Sequence, residues 1–175
     1  MPSRRRTDII LDETFGSDLD SVEIEVLRER RQLANDVENE LSYYRRLLHG
    51  RLDMLRFEQR RRSGEETRSL IEALPEILSD PRPAGDHEPV MRHVITDIPP
   101  LPDVGRRTVD FVLGDDALTR LDQIDDEGLA DAIDAVAALA GDYSDQRRKV
   151  QEVADRISAA IAERYRTGQA DRVGS

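Results

Sequence analysis

Residues 17–62 read SDLDSVEIEVLRERRQLANDVENELSYYRRLLHGRLDMLRFEQRRR, and this stretch decides the fold. It contains no proline and a single glycine, Gly50. Apolar residues recur in it at intervals of seven: Leu27, Ala34, Leu41, Leu48 and Leu55. Seven-residue spacing of apolar side chains is typical of a coiled-coil helix. The stretch therefore predicts one helix of roughly 65 Å that needs a partner helix for its apolar seam.

The composition favours extended helices over a thick globular core. Of the 175 residues, 36% are charged and only 4% are aromatic, whereas a helix in a coiled coil needs only one apolar stripe. The net charge of −11 argues against sequence-independent binding to duplex DNA, because such binding depends on basic groups beside the phosphates. The chain has no cysteine, which excludes disulfides and thiolate metal sites and suits a cytoplasmic protein. No apolar run is long enough to span a membrane.

The remaining segments predict a short helix and a linker between two long helices. Pro75 is expected to kink or end the short helix, and six prolines between Asp80 and Asp103 indicate an extended linker. A short helix is also predicted at Phe111–Ile124. The predicted segments are a polar N-terminal tail at 1–16, the first long helix at 17–62, a short helix at 63–79, an acidic proline-rich linker at 80–126, the last long helix at 127–167 and a tail at 168–175.

These segments together predict an all-α protein. Its two long helices form an antiparallel coiled-coil helical hairpin, with a short extra helix and a flexible linker between them. Two alternatives concern its details. The patch Ile9-Ile10-Leu11 could dock, although a frayed terminus is the favoured interpretation. A break at Gly141 would make Ser144 a helix cap, although a continuous apolar stripe favours an unbroken helix.

A line of polar residues accompanies the seam of the first long helix. At about 100° per residue, its five members lie within an arc of about 80°, beside the leucines. They are Glu38, Ser42, Arg45, His49 and Asp53.

The same polar line returns 102 residues later, on the last long helix, as Ser144, Arg147, Gln151 and Asp155. The apolar seam repeats with the same offset. One position of the polar line is not repeated: Ala140 occupies the place that corresponds to Glu38. An internal repeat on two separate helices suggests a duplication, or two copies of one site.

The residue types in this line suit the recognition of guanine. An arginine offers two parallel donors to the O6 and N7 acceptors of guanine, and an aspartate accepts from the N1–H and N2–H₂ groups. Serine, glutamine and histidine can contact phosphate or ribose oxygens. Two copies could hold a ligand with two guanines and two phosphates. The alternative is a set of interhelical salt bridges that fixes the register of a coiled coil.

The pattern E-x3-S-x2-R-x3-[QH]-x3-D in these residues resembles the signature of the RsiG family. The stretch ENELSYYRRLLHGRLDMLRFE at 38–58 also looks like that family's first long helix. RsiG-like proteins are anti-sigma factors of spore-forming actinobacteria. They bind cyclic di-GMP on an antiparallel coiled coil and then sequester the sporulation sigma factor WhiG. The resemblance covers about residues 20–60 and 128–166, with departures at Ala140 and His49.

The resemblance implies that one monomer holds two cyclic di-GMP molecules and forms a heterodimer with a WhiG-like sigma factor. Transcription of late developmental genes would thereby be repressed. In this interpretation Arg45 and Arg147 bind the guanine acceptors, and Asp53 and Asp155 the guanine donors. Ser42, Ser144, His49 and Gln151 contact phosphate or sugar, and Glu38 braces an arginine or accepts from a base. Direct binding to DNA or to a membrane is not expected.

The acidic part of the chain suits a basic partner. Residues 80–142 contain 15 acids and 5 arginines, and this stretch could complement a basic surface of a sigma factor. Enzymatic activity and a metal site are not expected, because no nucleophile–base pattern is present and His87 and His93 have no zinc-site spacing. The competing interpretation is a ligand-free coiled-coil scaffold or interaction protein.

Overall fold

The computed structural model describes residues 6–78 and 121–168, whose regular elements are α-helices and short 3-10 turns. The two long helices, Ile24–Ser63 and Asp126–Arg166, pack against each other, which confirms the all-α helical hairpin. None of the helices described is both long and apolar enough to cross a membrane. The elements are α1 at Arg6–Ile10, a 3-10 turn at Glu13–Gly16, α2 at Ile24–Ser63, α3 at Leu70–Leu78, a 3-10 turn at Leu121–Gln123 and α4 at Asp126–Arg166.

The predicted apolar seam is the core of the protein. All five seam residues of α2 are buried, and α4 carries a matching line of buried residues at the same spacing of seven. Each buried leucine, valine or isoleucine of the seam contributes about 1.5–3 kcal/mol, so the seam outweighs any single polar contact on the surface. The α4 residues are Leu129, Val136, Tyr143, Val150 and Ile157, none more than 5% exposed.

α4 is continuous across its internal glycine. It begins after Asp125, whose side chain accepts a hydrogen bond from the backbone N–H of Gly128 at 2.9 Å, as an N-cap does. It then runs without a break to Arg166, so Gly141 lies inside the helix. The favoured prediction of an unbroken helix is confirmed, and Ser144 is a residue of the helix face instead of a cap.

The chain divides into two compact units, each of which contains part of both long helices. Their residues are 1–45 and 141–175 in the first unit, and 46–140 in the second. In the first unit, Arg28 near the start of α2 bonds to Tyr165 near the end of α4. Further along α2, the ring of Tyr44 lies 5.6 Å from the ring of Tyr143. Residue numbers therefore rise along α2 as they fall along α4, so the helices are antiparallel here.

The prediction of a frayed N-terminal tail is wrong for the described residues, which fold onto the first unit. Ile10 is only 1% exposed, and Arg6 lies 3.7 Å from the carboxylate of Asp36. Gly16 lies so close to α4 that an added Cβ would stand 3.2 Å from Nη2 of Arg156. Ile10 therefore packs against the first unit, which removes its side chain from water.

The first long helix begins later than predicted, at Ile24 and not at Ser17 or Asp18. Arg30 accounts for the difference. Its guanidinium donates to the carbonyl oxygen of Phe15 at 3.0 Å and to the carboxylate of Asp18 at 3.2 Å. The hydrogen bond from Arg30 also lowers the pKa of Asp18. These contacts hold the preceding segment folded back on α2, so it does not extend the helix.

The short helix α3 begins later than the predicted segment, at Leu70. The side chain of Glu66 accepts from the backbone N–H of Arg68 at 3.0 Å, which forms a turn before the helix. Ser69 and Glu72 then exchange hydrogen bonds in a capping box. Pro75 does not end the helix, which continues through it to Leu78. Residues 79–120, with most of the predicted linker and of its short helix, lie outside the described residues.

A buried charge cluster, here called the Glu58 cluster, joins the end of α2 to the segment before α4 in the second unit. Glu58 is 3% exposed and accepts from Nε of Arg61 at 2.7 Å and from Nε of Arg62 at 2.8 Å. Arg62 also donates to the carbonyl oxygens of Leu121 at 2.7 Å and Ile124 at 2.9 Å. The hydrogen bonds from Arg61 and then Arg62 lower the pKa of Glu58.

The Glu58 cluster should make stability depend on acid pH. Because the folded-state pKa of Glu58 is lowered, its contribution is present above the unfolded-state pKa and is lost as pH falls through the folded-state value. We expect Glu58→Gln to lower the free energy of unfolding by about 1–3 kcal/mol at neutral pH. The difference should shrink in acid, as measured by urea unfolding. Glu65→Gln, at an exposed neighbour, is the control, and an equal effect of both variants would contradict the assignment.

The docking of the N-terminal segment predicts unequal effects at two adjacent isoleucines. Ile10→Ala should lower the free energy of unfolding by about 2 kcal/mol, since it removes a fully buried side chain. It should also speed proteolysis near the N-terminus. Ile9→Ala is the matched control, because Ile9 is 37% exposed and its truncation should change stability little. Equal urea midpoints for Ile10→Ala and the unmodified protein would show that the segment does not dock.

Candidate functional site

The nine predicted site residues all lie on the two long helices. Seven of them belong to the first unit. His49 and Asp53 lie further along α2, in the second unit. The seven are Glu38, Ser42, Arg45, Ser144, Arg147, Gln151 and Asp155.

Four of the seven form one hydrogen-bonded group, here called the Glu38 cluster: Glu38, Ser42, Arg147 and Gln151. The Oε1 atom of Glu38 accepts from Oγ of Ser42 at 2.9 Å and from Nη1 of Arg147 at 3.0 Å. Nη1 of Arg147 also donates to Oε1 of Gln151 at 3.3 Å. Residues of both motif copies, on both helices, therefore meet in a single polar cluster.

The Glu38 cluster is half-buried beside the core. The side chain of Arg147 is 32% exposed and that of Glu38 is 25% exposed. Nε of Arg147 is buried and makes no hydrogen bond with the described residues. An ion pair in such a position is screened less by water than one on an open surface, where pairs contribute about 0–1 kcal/mol. The pair thus holds α2 and α4 in register in the first unit.

Aromatic rings pack in the core of the same unit. Tyr44 is buried, and its ring meets that of Tyr43 edge-on at 5.5 Å. Burial raises the pKa of Tyr44 to about 12. Its hydroxyl is therefore protonated at neutral pH, and the residue serves packing instead of charge recognition.

The aspartates that end the two motif copies are both left to solvent. Asp53 on α2 and Asp155 on α4 are exposed. No side-chain hydrogen bond or ion pair of either residue occurs among the described parts of the chain. His49 is likewise exposed. Neither carboxylate therefore takes part in an interhelical ion pair among the described residues.

Asp155 also borders a cleft that the sequence did not predict. The cleft has a volume of about 920 Å³ and lies between α4 and the folded N-terminal segment. Ile10 and Gly16 line it from one side, and Val153 and Arg156 from the other. The only sequence signal for this surface is the apolar patch at Ile9-Ile10-Leu11.

The chemistry of the assembled residues is that of hydrogen bonding and charge recognition. The cluster offers a guanidinium with an Nη2 group that makes no hydrogen bond to the described residues, and exposed carboxylates follow along each helix. Within residues 6–78 and 121–168, no group of three or more metal-binding side chains comes together.

Comparison with known proteins gives one family. Residues 13–78 match the model of a family described as RsiG-like. This match includes the whole first motif copy on α2 and confirms the resemblance drawn from the sequence. The second copy, on α4, lies outside the matched residues. No curated protein matches the chain.

Proposed function

We propose, from the RsiG-like match of residues 13–78, that this chain is an anti-sigma factor controlled by a nucleotide. In this proposal it binds cyclic di-GMP along α2 and α4 and, when loaded, sequesters a WhiG-like sporulation sigma factor. Transcription of late developmental genes is thereby repressed. The protein acts in the cytoplasm, by binding and without catalysis. The family match supports the anti-sigma role, while the ligand is argued from the residues of the two motif copies.

The observation that supports the nucleotide proposal is the solvent exposure of the two equivalent aspartates, whose carboxylates have no partner among the described residues. Asp53 and Asp155 occupy the same place in the two copies, and both present free carboxylates to solvent. A carboxylate accepts from the N1–H and N2–H₂ edge of guanine, whereas adenine offers no such pair of donors. Each copy therefore offers one arginine and one aspartate to a guanine of the ligand.

The proposed roles follow the donor and acceptor groups of each side chain. Arg45 and Arg147 bind the O6 and N7 acceptors of guanine, and Asp53 and Asp155 bind its donors. Glu38 positions an arginine, as its 3.0 Å bond to Arg147 supports. The groups that contact phosphate or ribose are Ser42, Ser144, His49 and Gln151. Since both copies lie on one chain, a monomer can hold two ligand molecules.

Control by the ligand follows from linkage. If cyclic di-GMP binds the sigma-competent arrangement of the helices more tightly than the free one, sigma binding raises ligand affinity by the same factor. The acidic composition of residues 80–142 suits the basic surfaces of a sigma factor. The partner contact is therefore a heterodimer with sigma, without direct binding to DNA or to a membrane.

A ligand-free coiled-coil scaffold is the second candidate function. It is favoured by the bond between Glu38 and Arg147, because an interhelical ion pair is a common register device in coiled coils. A scaffold needs no nucleotide, so ligand binding separates the two candidates.

The nucleotide proposal predicts saturable, guanine-selective binding by the purified full chain. Arg45→Ala should abolish this binding, because it removes the donors to O6 and N7, while helical circular dichroism stays unchanged. Arg51→Ala, on a different face of α2, is the matched control. Isothermal titration with cyclic di-GMP, a linear diguanylate and cyclic di-AMP measures the effect. Undiminished affinity in Arg45→Ala would rule out the site, and no saturable binding at all would favour the scaffold.

The anti-sigma proposal predicts ligand-dependent capture of a WhiG-like sigma factor. The tagged chain should retain sigma on a column in the presence of cyclic di-GMP and release it when the nucleotide is washed out. Asp155→Asn should weaken retention at limiting nucleotide, because it removes an acceptor for guanine donors. Equal retention with and without nucleotide would contradict control by the ligand.

A further inference from the structure

Three arginines in the second half of α2 are exposed and have no acidic partner: Arg46, Arg56 and Arg60. None of their side chains forms a hydrogen bond or an ion pair within residues 6–78 and 121–168. Arg60 has one other contact, since its guanidinium lies 5.9 Å from the centroid of the Phe57 ring. The chain contains 37 acids against 26 basic residues. A shortage of carboxylates therefore does not explain why these three arginines are unpaired.

The three arginines lie on the same face of α2 as the end of the first motif copy. Arg46 and Arg60 stand seven residues before and after Asp53, and Arg56 stands seven residues after His49. Residues seven apart occupy equivalent positions on a coiled-coil helix, about 10.5 Å apart along its axis. All five residues are exposed and belong to the second unit. The polar line of the motif therefore continues past Asp53 as a line of basic groups.

The acid and the bases of this face do not neutralise each other. Arg56 follows Asp53 by three residues, a spacing at which side chains on a helix commonly form ion pairs. Neither side chain forms one with any described residue. The carboxylate is therefore available to the donors of a guanine. The guanidinium is available to a phosphate, which it binds through two parallel donors.

The second motif copy lacks this line of unpaired arginines. With the offset of 102 residues, positions 56 and 60 correspond to Ser158 and Ala162. Position 46 corresponds to Arg148, whose guanidinium donates to the carboxylate of Asp145 at 3.0 Å. The unpaired basic groups are therefore a property of the first copy, and neither the repeat nor the coiled coil accounts for them.

We propose that Arg46, Arg56 and Arg60 form an anion site that binds the phosphates of the nucleotide whose guanine binds Asp53. This inference rests on the proposed function and adds to it three residues outside the motif. A chain of net charge −11 repels an anionic nucleotide, and a local group of unpaired guanidinium groups offsets this repulsion at the site. A hydrogen bond between guanidinium and phosphate is also stronger than a neutral one, because both groups are charged.

Substitutions to glutamine test the anion site by removing charge while keeping a polar side chain. We expect Arg56→Gln to weaken the binding of cyclic di-GMP to the full chain by about tenfold in isothermal titration, since a charge-assisted hydrogen bond is lost. The triple variant Arg46→Gln, Arg56→Gln, Arg60→Gln should weaken it further. Arg51→Gln is the matched control, because it removes the same charge from another face of α2. It should change the affinity less than about twofold, since salt screens a distant charge.

The salt dependence of binding identifies phosphate as the group that the arginines contact. Binding to the unmodified chain should weaken as the NaCl concentration rises, because ions screen the attraction between guanidinium and phosphate. The triple variant should lose most of this dependence. Asp53→Asn is the contrasting variant, since it removes an acceptor for guanine and should weaken binding while the salt dependence remains. Helical circular dichroism and urea midpoints verify that each variant is folded.

The outcomes separate this inference from the proposed function. If the triple variant binds cyclic di-GMP with unchanged affinity and salt dependence, the inference is wrong while nucleotide binding stands. If Arg51→Gln weakens binding as much as Arg56→Gln does, the effect is one of net charge and the inference is again wrong. If the triple variant keeps its affinity for the nucleotide but no longer retains the sigma factor, the arginines form a protein contact instead. A chain that binds no cyclic di-GMP would contradict both the proposed function and the inference.

Discussion

The burial of two apolar seams with the same spacing is the constraint on which the rest of this structure depends. Apolar side chains recur every seven residues on α2 and on α4, and all ten seam positions are buried. Two helices with such seams must lie side by side, because neither seam can be left in water. The polar stripe has nearly the same spacing and runs beside the seam. Packing of the seams therefore brings residues of both motif copies, such as Glu38 and Arg147, to the same edge.

The Glu38 cluster contributes much less to the stability of the fold than the seam does, and this difference is compatible with the proposed ligand site. A half-buried pair such as Glu38 and Arg147 contributes a few kcal/mol at most, whereas each buried leucine, valine or isoleucine of the two seams contributes about 1.5–3 kcal/mol. The cluster can therefore exchange one of its hydrogen bonds without unfolding the helix pair. Fixing the register and the proposed binding of a nucleotide are therefore compatible, because the seam maintains the architecture while polar contacts are exchanged.

The N-terminal segment shows how a short sequence signal is misinterpreted. Three apolar residues around Ile10 carry no periodicity, and isolated patches near a terminus are commonly frayed. The segment is ordered by partners that are distant in sequence: Arg30 binds Phe15 and Asp18, and α4 accommodates Gly16 closely. Such partners leave no pattern in the segment itself. The late start of α2 has the same cause, since helix propensity alone would begin it at Asp18.

The sequence by itself determined the two long helices, their apolar seams, the continuity of α4 through Gly141 and the membership of the polar stripe. These properties follow from periodicity, which local geometry converts directly into a helix face. Tertiary structure alone decided which stripe residues touch. The pairing of Glu38 with Arg147 depends on the antiparallel register of two helices that are far apart in the chain, and periodicity along one helix contains no information about the position of another.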